Sequence, residues 1–510
     1  MTTPDIIRYR IGRADELQGR DRLLYRVFEM LPGVLAWGTI IGAIVASYFI
    51  PYYAAIFIIA FDAYWFLKTA FLSIHLRKNW KRTRIALATD WDRELAALPG
   101  NDLCHLVILP FYKEGYGVIA KSLEALAQSN TDLTRLIVVL AGEERAGSYA
   151  HECAARARTE YGSKFGYFIS TFHPEGAPGE MAGKGSNISY ASERARIEIL
   201  DAHKIPYDRV VVSAFDIDTV VYPRYFSCLS WHVLTHPRPL RASFQPVPLY
   251  NNNIWDAPAL SRVVAFSGTF WQMVQQERPE RLATFSSHAV IFQTLYEVGY
   301  WQKNMVSEDS RIFWNCFMHF KGDYEVVPMA YPVSMDANLA PSFWTTLKNI
   351  YLQQRRWSWG VENVPYILFN FLKRPDISWK TKLRMSWMQL EGFWSLATNP
   401  ILIFLLGWLP AIIGRGNFSS LVLAYNLPVI TRDIMIITMF GLIVSAYIAM
   451  TLLPPMPLHI PRRRKLGMVL QWILVPITIT VFGAFPALDA QTRLLLGRYM
   501  GFWVTPKHRT

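Results

Sequence analysis

The residues best suited to chemistry lie in "RVVVSAFDIDTVVYPRYF", where Asp216 and Asp218 stand one residue apart just after a β-branched run, Val210–Val212. Burying like charges without partners costs several kcal/mol. The pair is therefore either solvated or holds something positive. Alone, a D-x-D is short, and its simplest reading is a solvated turn at a strand end. Three further groups change that balance. "AGKGSNISYASERA" carries Lys184 and Asn187 in a glycine-flanked stretch suited to phosphate oxygens. "VSEDSRIFW" places Glu308 and Asp309 ahead of a helical pattern, and "QQRRW" supplies Gln353, Arg356 and Trp357. Each has a plain alternative: Lys184 as a solvated loop residue, Asp309 as a helix N-terminal charge, Arg356 with Trp357 as a membrane-surface anchor. Occurring together, in this order, they point to one anion-handling site.

The elements that must position these residues follow from the hydrophobic pattern. "HLVILPFY", "RLIVVLAGEE" and "RVVVSAFD" are short β-rich runs separated by helical stretches such as "GVIAKSLEALAQS". This β-α-β alternation predicts a parallel sheet with helices on its faces. Ligands bind such sheets beyond the carboxyl ends of the strands, where Asp216 and Asp218 lie. The chain is 52% hydrophobic and 14% aromatic, which calls for membrane segments beside a water-facing domain. Residues 1–29 read as a basic cytosolic head, including Arg8, and 30–76 as a transmembrane hairpin in which Asp62 and Lys68 face a polar interior or Lys68 snorkels. A catalytic domain follows over 100–340. The aromatic, basic segment 341–390 reads as interface helices, 391–455 as a second hairpin, and 456–510 as an interfacial or re-entrant element with a tail.

The order K-x-x-N, D-x-D, E-D, Q-x-x-R-W resembles the membrane-embedded family 2 glycosyltransferases, which include cellulose, hyaluronan and chitin synthases. The resemblance covers roughly residues 100–360. It implies an α/β GT-A (Rossmann-like) cytosolic domain inserted between transmembrane hairpins, with amphipathic interface helices. It also implies inverting transfer from a nucleotide sugar, usually UDP-linked, to a glycan or lipid-linked acceptor. By the resemblance, Asp218 is a ligand of Mg²⁺ or Mn²⁺ with Asp216 beside the ribose or metal, and Asp309 and Glu308 are the catalytic acids, Asp309 as the general base. Lys184 and Arg356 bear on the diphosphate, Gln353 and Trp357 on the acceptor sugar. "PFYKE" offers Tyr112 and Glu114 to the nucleoside. The second strand departs from the family's D-D-G-S-like turn: "VVLAGEERAG" offers Glu143 or Glu144 instead. The terminal "FWVTPK" resembles the F-x-V-T-x-K gating loop of cellulose synthases, which makes Thr505 and Lys507 donor-facing groups.

The net charge of +13 concentrates beside the membrane segments, which argues against nucleic acid as a partner. Cys104, Cys153, Cys228 and Cys316 are scattered without metal-finger spacing, so neither zinc nor a disulfide framework is expected. The positive-inside rule puts the catalytic domain and both termini in the cytoplasm, in a bacterial inner or plasma membrane, with the run Arg462–Lys465 also inside. Four spans result if 467–498 does not cross. Alternatives to a polymer-extruding synthase are a single-transfer enzyme acting on a lipid acceptor and a non-catalytic membrane partner in envelope polysaccharide assembly.

Overall fold

A computed structural model describes residues 10–507 except 417, 419–421, 459 and 462, with only the backbone of 435, 438–440, 442 and 463. Arg8, Arg462 and the side chain of Arg463 therefore lie outside the described residues.

Strands β1 (Cys104–Pro110), β2 (Leu136–Glu143), β3 (Tyr167–His173) and β4 (Val210–Ala214) form the parallel half of one sheet. The apolar runs of β1, β2 and β4 are buried on both faces, as parallel strands under helices must be, whereas β3, at the sheet edge, is only partly buried. Alternation assigns the faces. Val107 and Leu109 of β1 pack under the helices Tyr116–Ala127 and Ser148–Tyr161. Leu106 and Ile108 pack under the helices Lys184–Ala195 and Glu308–His319.

Four more strands complete the sheet: β5 (Val220–Val221), β6 (Ala242–Tyr250), β7 (Ala289–Ile291) and β8 (Glu325–Met335), in the order β3-β2-β1-β4-β7-β6-β8-β5. β7 runs antiparallel to both β4 and β6, so the sheet is mixed rather than wholly parallel. The difference has a physical source. β6 contains Pro246 and Pro248 beside a register shift between Gln245 and Val247, and β7 spans only three residues. Neither gives a clean strand signal. The aromatic segment from Trp231 to Tyr296, whose sequence suggests an acceptor platform, a membrane-surface insertion or extra amphipathic helix packing, includes these two strands and the helix Ala259–Gln276. That helix packs Phe266 and Phe270 against Trp472, in a cluster that also holds Leu76 and Trp80.

Three helical runs are long and apolar enough to cross a membrane: Gly19–Phe49, Pro51–Ala88 and Arg464–Leu495. The first two exceed the 30–76 expected from hydropathy because their Arg/Lys/Glu-rich flanks are good helix formers and continue each helix past its apolar part. Lys68 donates to Glu391 at 3.1 Å, so it faces protein, and Asp62 is buried. Val422–Thr451 is a further 30-residue helix. The interface region comprises Phe343–Ser358, Asn363–Lys373 and Trp379–Ile401, the last running well past residue 390.

Candidate active site

Asp216 and Asp218 sit in the turn after β4, closed by Thr219 N–H donating to the Asp216 carbonyl at 2.9 Å. Lys184, the first residue of its helix, donates to Asp216 Oδ1 at 2.7 Å and to Asp309 Oδ1 and Oδ2 at 3.0 and 2.9 Å. Ser286 donates to the other Asp216 oxygen at 2.8 Å. Asp218 is fully buried, and its Oδ2 accepts from Lys507 Nζ at 2.7 Å and from the Asp336 N–H at 2.9 Å. Five sequence-selected residues, spread from 184 to 507, thus meet at the carboxyl end of β4.

Two lysines answer the burial cost of the paired acids. Burial alone would raise the Asp216 pKa, but Lys184 and then Lys507 outweigh it and hold the carboxyl well below the ordinary range. Burial would lower the Lys184 pKa, but Asp216 and Asp309 outweigh it and keep the ammonium firmly charged. Asp218 goes the other way: burial pushes its pKa up, Lys507 pulls it down, and Asp336 and Asp216 push it up again. Lys507 itself is raised, its desolvation outweighed by Asp218. The ammonium is therefore the secure charge of that pair, and it is what pulls against the burial that raises the Asp218 pKa.

Asp309 stands in the first turn of the helix Glu308–His319, where the macrodipole favours an acid. The bland reading of it as a helix-start charge is true, and the same position aims it at Lys184. Glu308, 2% exposed, has its pKa pushed up to about 8 by burial and then by Asp309, against Lys184. Behind Asp309 lies the buried His288, whose Nδ1 is 3.9 Å from Asp309 Oδ1. That Nδ1 sits 2.9 Å from the Phe285 carbonyl while Nε2 accepts from the Trp301 indole at 3.2 Å, which fixes a neutral Nδ1–H ring. Burial lowers its pKa in the same sense.

A second group of side chains gathers at the ends of β1 and β2. The Tyr112 N–H donates to Glu114 Oε2 at 2.7 Å. Glu143 accepts from Arg145 Nε at 2.6 Å and Nη2 at 3.1 Å, and the Arg145 guanidinium lies 4.5 Å from the Tyr112 ring centre. Glu143 and Arg145 line a cavity with His173, Glu175 and Glu180. Asn187 is elsewhere: it lies in a helix, not a loop, and its buried amide donates to the Ala141 carbonyl at 2.8 Å, tying that helix to β2. It is a structural tie and not a phosphate contact.

Gln353 and Trp357 line a second cavity with Tyr250, Asp336 and Asn338, the Tyr250 and Trp357 ring centres 5.7 Å apart. Arg356 faces the protein, its guanidinium 5.1 Å from the Phe502 ring, and its charge bears on Glu308 and Tyr250. Thr505 is buried in the same tail.

The donor set around Asp218 suits a hard divalent cation: it is oxygen-only, and an ammonium already stands in for positive charge there. Among the described residues no three His, Cys, Asp or Glu side chains gather to hold a metal unaided. An ion would take its remaining ligands from phosphate and water, as Mg²⁺ usually does. Sequence reasoning missed Asp336, Ser286, His288, Arg145 and Tyr250. Asp336 had a usable signal, an acid directly after a strand. Ser286 and His288 precede a three-residue strand that gives none.

Residues 211–481, more than half of the chain, match the family model described as glycosyl transferase family group 2. No curated protein matches the sequence. Similar solved structures include a mannosyltransferase from Pyrobaculum calidifontis in complex with GDP-Man and Mn²⁺, at 14% identity and TM-score 0.42, covering 74% of this chain and 99% of that one. Staphylococcus aureus TarS 1-349 in complex with UDP-GlcNAc is similar at 11% identity and TM-score 0.37, covering 78% and 93%.

Proposed function

The chain belongs to glycosyl transferase family group 2, and on that premise we propose inverting transfer of a sugar from a UDP-sugar to the growing end of a glycan at the cytoplasmic membrane surface, repeated as a processive synthase. The observation that supports it most is a single ammonium, Lys184, bonded at once to Asp216 and to Asp309. A donor diphosphate arriving at Asp218 draws Lys184 and Arg356 to its oxygens, where fixed positive charge counters the charge of the departing group. Lys184 thereby releases Asp309. The freed carboxylate takes the proton of the acceptor hydroxyl as that oxygen bonds the anomeric carbon and the carbon–diphosphate bond breaks on the opposite face. Mg²⁺ or Mn²⁺ on Asp218 would add Lewis-acid neutralisation of the diphosphate. Glu308 stays protonated near neutral pH, so it does not compete as a base. Trp357 and Tyr250 offer ring faces to the acceptor sugar, with Gln353 hydrogen-bonding beside them. Tyr112, Glu114 and Glu143 meet the nucleoside.

The membrane reading places Gly19–Phe49 and Pro51–Ala88 across the bilayer, then the helical run 379–413 and Val422–Thr451, with Arg464–Leu495 re-entrant. Support for the last comes from its two ends. Met468 and Trp472 pack with Trp80 and Phe270, and Asp489 binds Arg355 of the interface helix at 2.9 Å. Both ends therefore sit at the level of the water-facing domain, on the side where Lys507 reaches Asp218.

Incubating the purified protein with UDP-, GDP- and dTDP-sugars, and assaying free nucleoside diphosphate and product length, tests the proposal. UDP release with products of many lengths is expected. Release from GDP-sugars alone would overturn the donor assignment, and a single product length would overturn processivity.

A further inference from the structure

The tail that ends at Lys507 is held along its length. Tyr499 donates to Glu29 at 2.9 Å, and Met500 is buried among Val306, Trp359 and Leu494. Phe502 lies against the Gly183 backbone, where a Cβ would come within 2.7 Å of its ring, and under the Arg356 guanidinium. Thr505 is buried, and the Lys507 ammonium ends on Asp218 Oδ2 at 2.7 Å. Asp336 is fastened next to that contact. Its N–H donates to the same Asp218 oxygen, and Asn252 bridges the Asp336 side chain to the Asp218 carbonyl, both at 3.0 Å. Lys507 thus takes one of the two Asp218 carboxylate oxygens, and its charge stands where a cation's would, while Phe502 of the same tail touches both the Gly183 backbone beside Lys184 and the Arg356 guanidinium.

We propose that the Lys507 ammonium and a divalent cation exclude each other at Asp218. The tail is then a built-in cationic stopper that metal must expel before donor can be held. The inference rests on the function proposed above but concerns order of events: the cation-free site is closed, and metal opens it. No bond is made or broken. An ammonium exchanges with a metal ion on a carboxylate oxygen, and Lys507 passes to solvent or to the donor phosphates. The exchange balances the charge around Asp218 in both states, which is why neither state leaves a buried carboxylate bare.

The apparent affinity of a ligand is scaled by the fraction of protein competent to bind it. A tail closed about nine-tenths of the time therefore weakens metal binding about tenfold. The test uses the full-length protein in detergent with Mn²⁺ alone, its binding read from the electron paramagnetic resonance of free Mn²⁺. Lys507→Gln should bind Mn²⁺ about tenfold more tightly than the parent. Phe502→Ala keeps the lysine charge but loosens the tail, and should show the same direction of change. Lys507→Arg should remain near the parent. A nitroxide on Gly501→Cys should become mobile over the Mn²⁺ concentrations that fill the site in the parent. Equal affinity in the parent, Lys507→Gln and Phe502→Ala would overturn the inference, as would a nitroxide that stays immobile at saturation or a protein whose variants all ignore Mn²⁺. None of these readouts needs turnover. A protein that transfers no sugar but shows the exchange would refute the proposed function and leave this inference standing.

Discussion

Glu308→Gln should make the protein more stable at neutral pH while barely changing its chemistry. Glu308 is 2% exposed, and burial with Asp309 beside it pushes its pKa from 4.5 to about 8. Between those values the unfolded chain has released this proton and the folded chain keeps it. Folding then binds a proton, so stability falls as pH rises from 4.5 toward 8 and levels off above. Each pH unit inside that window is worth about 1.4 kcal/mol, which sets a ceiling on the order of 5 kcal/mol across it. Glutamine has the shape of the protonated acid and does not titrate. From pH 5.5 to 7.5 the variant should therefore gain roughly 3 kcal/mol on the parent, several degrees in melting temperature for a domain of this size. Every other titrating group is common to both proteins and cancels. Tryptophan fluorescence melts in detergent at the two pH values read the effect, and nucleoside diphosphate release should stay within about tenfold of the parent. A melting gap that is the same at pH 5.5 and 7.5 would mean that Glu308 is ionised in the fold, and the assignment of Asp309 as the sole base would lose its electrostatic support.

Asp218→Asn should abolish the dependence of donor affinity on Mn²⁺, measured by calorimetry with a non-reacting donor analogue; undiminished dependence would remove Asp218 from the metal site. Trp357→Ala takes away the ring that meets Tyr250 at 5.7 Å and should raise the acceptor KM about tenfold, the worth of one aromatic face, with donor affinity unchanged. An acceptor KM equal to the parent's would contradict the acceptor reading of that cavity. A Gly501→Cys reporter in a background lacking Cys104, Cys153, Cys228 and Cys316 should react with an impermeant maleimide only in opened membranes. Labelling of intact cells would put the tail outside and exclude the re-entrant topology.

Much of this site was legible because its chemistry sits where strands end. Asp216, Asp218 and Lys184 could be singled out from charge and order, since a buried strand running into acids needs a cation and the sequence supplies one in a glycine-flanked stretch, while Asp309 and the roles of all four rested on the family resemblance. The parallel half of the sheet was equally open to view, as β1, β2 and β4 each carry a continuous apolar run that includes Val or Ile. The other half was hidden: Pro246 and Pro248 disguise β6, and β7 is too short to show a period. With β7 went Ser286 and His288, whose roles exist only through contacts to Asp216 and beside Asp309. Asn187 was misjudged because a glycine-flanked polar stretch reads alike whether it cradles an anion or starts a helix. Nor could sequence say that Arg145 would occupy Glu143, since a bidentate pair two residues apart depends on the turn between them.

The most direct measurement compares the parent with Asp309→Asn for nucleoside diphosphate release and, separately, for donor binding. A positioned general base is worth about 10² to 10⁴ in rate, and the amide keeps the shape of the carboxylate while it cannot take the acceptor proton. The account predicts release that falls by that factor with donor affinity nearly unchanged. Turnover close to the parent's, with the donor bound equally well, would show that Asp309 is not the base and that the meeting of Lys184, Asp216 and Asp309 does not carry the transfer.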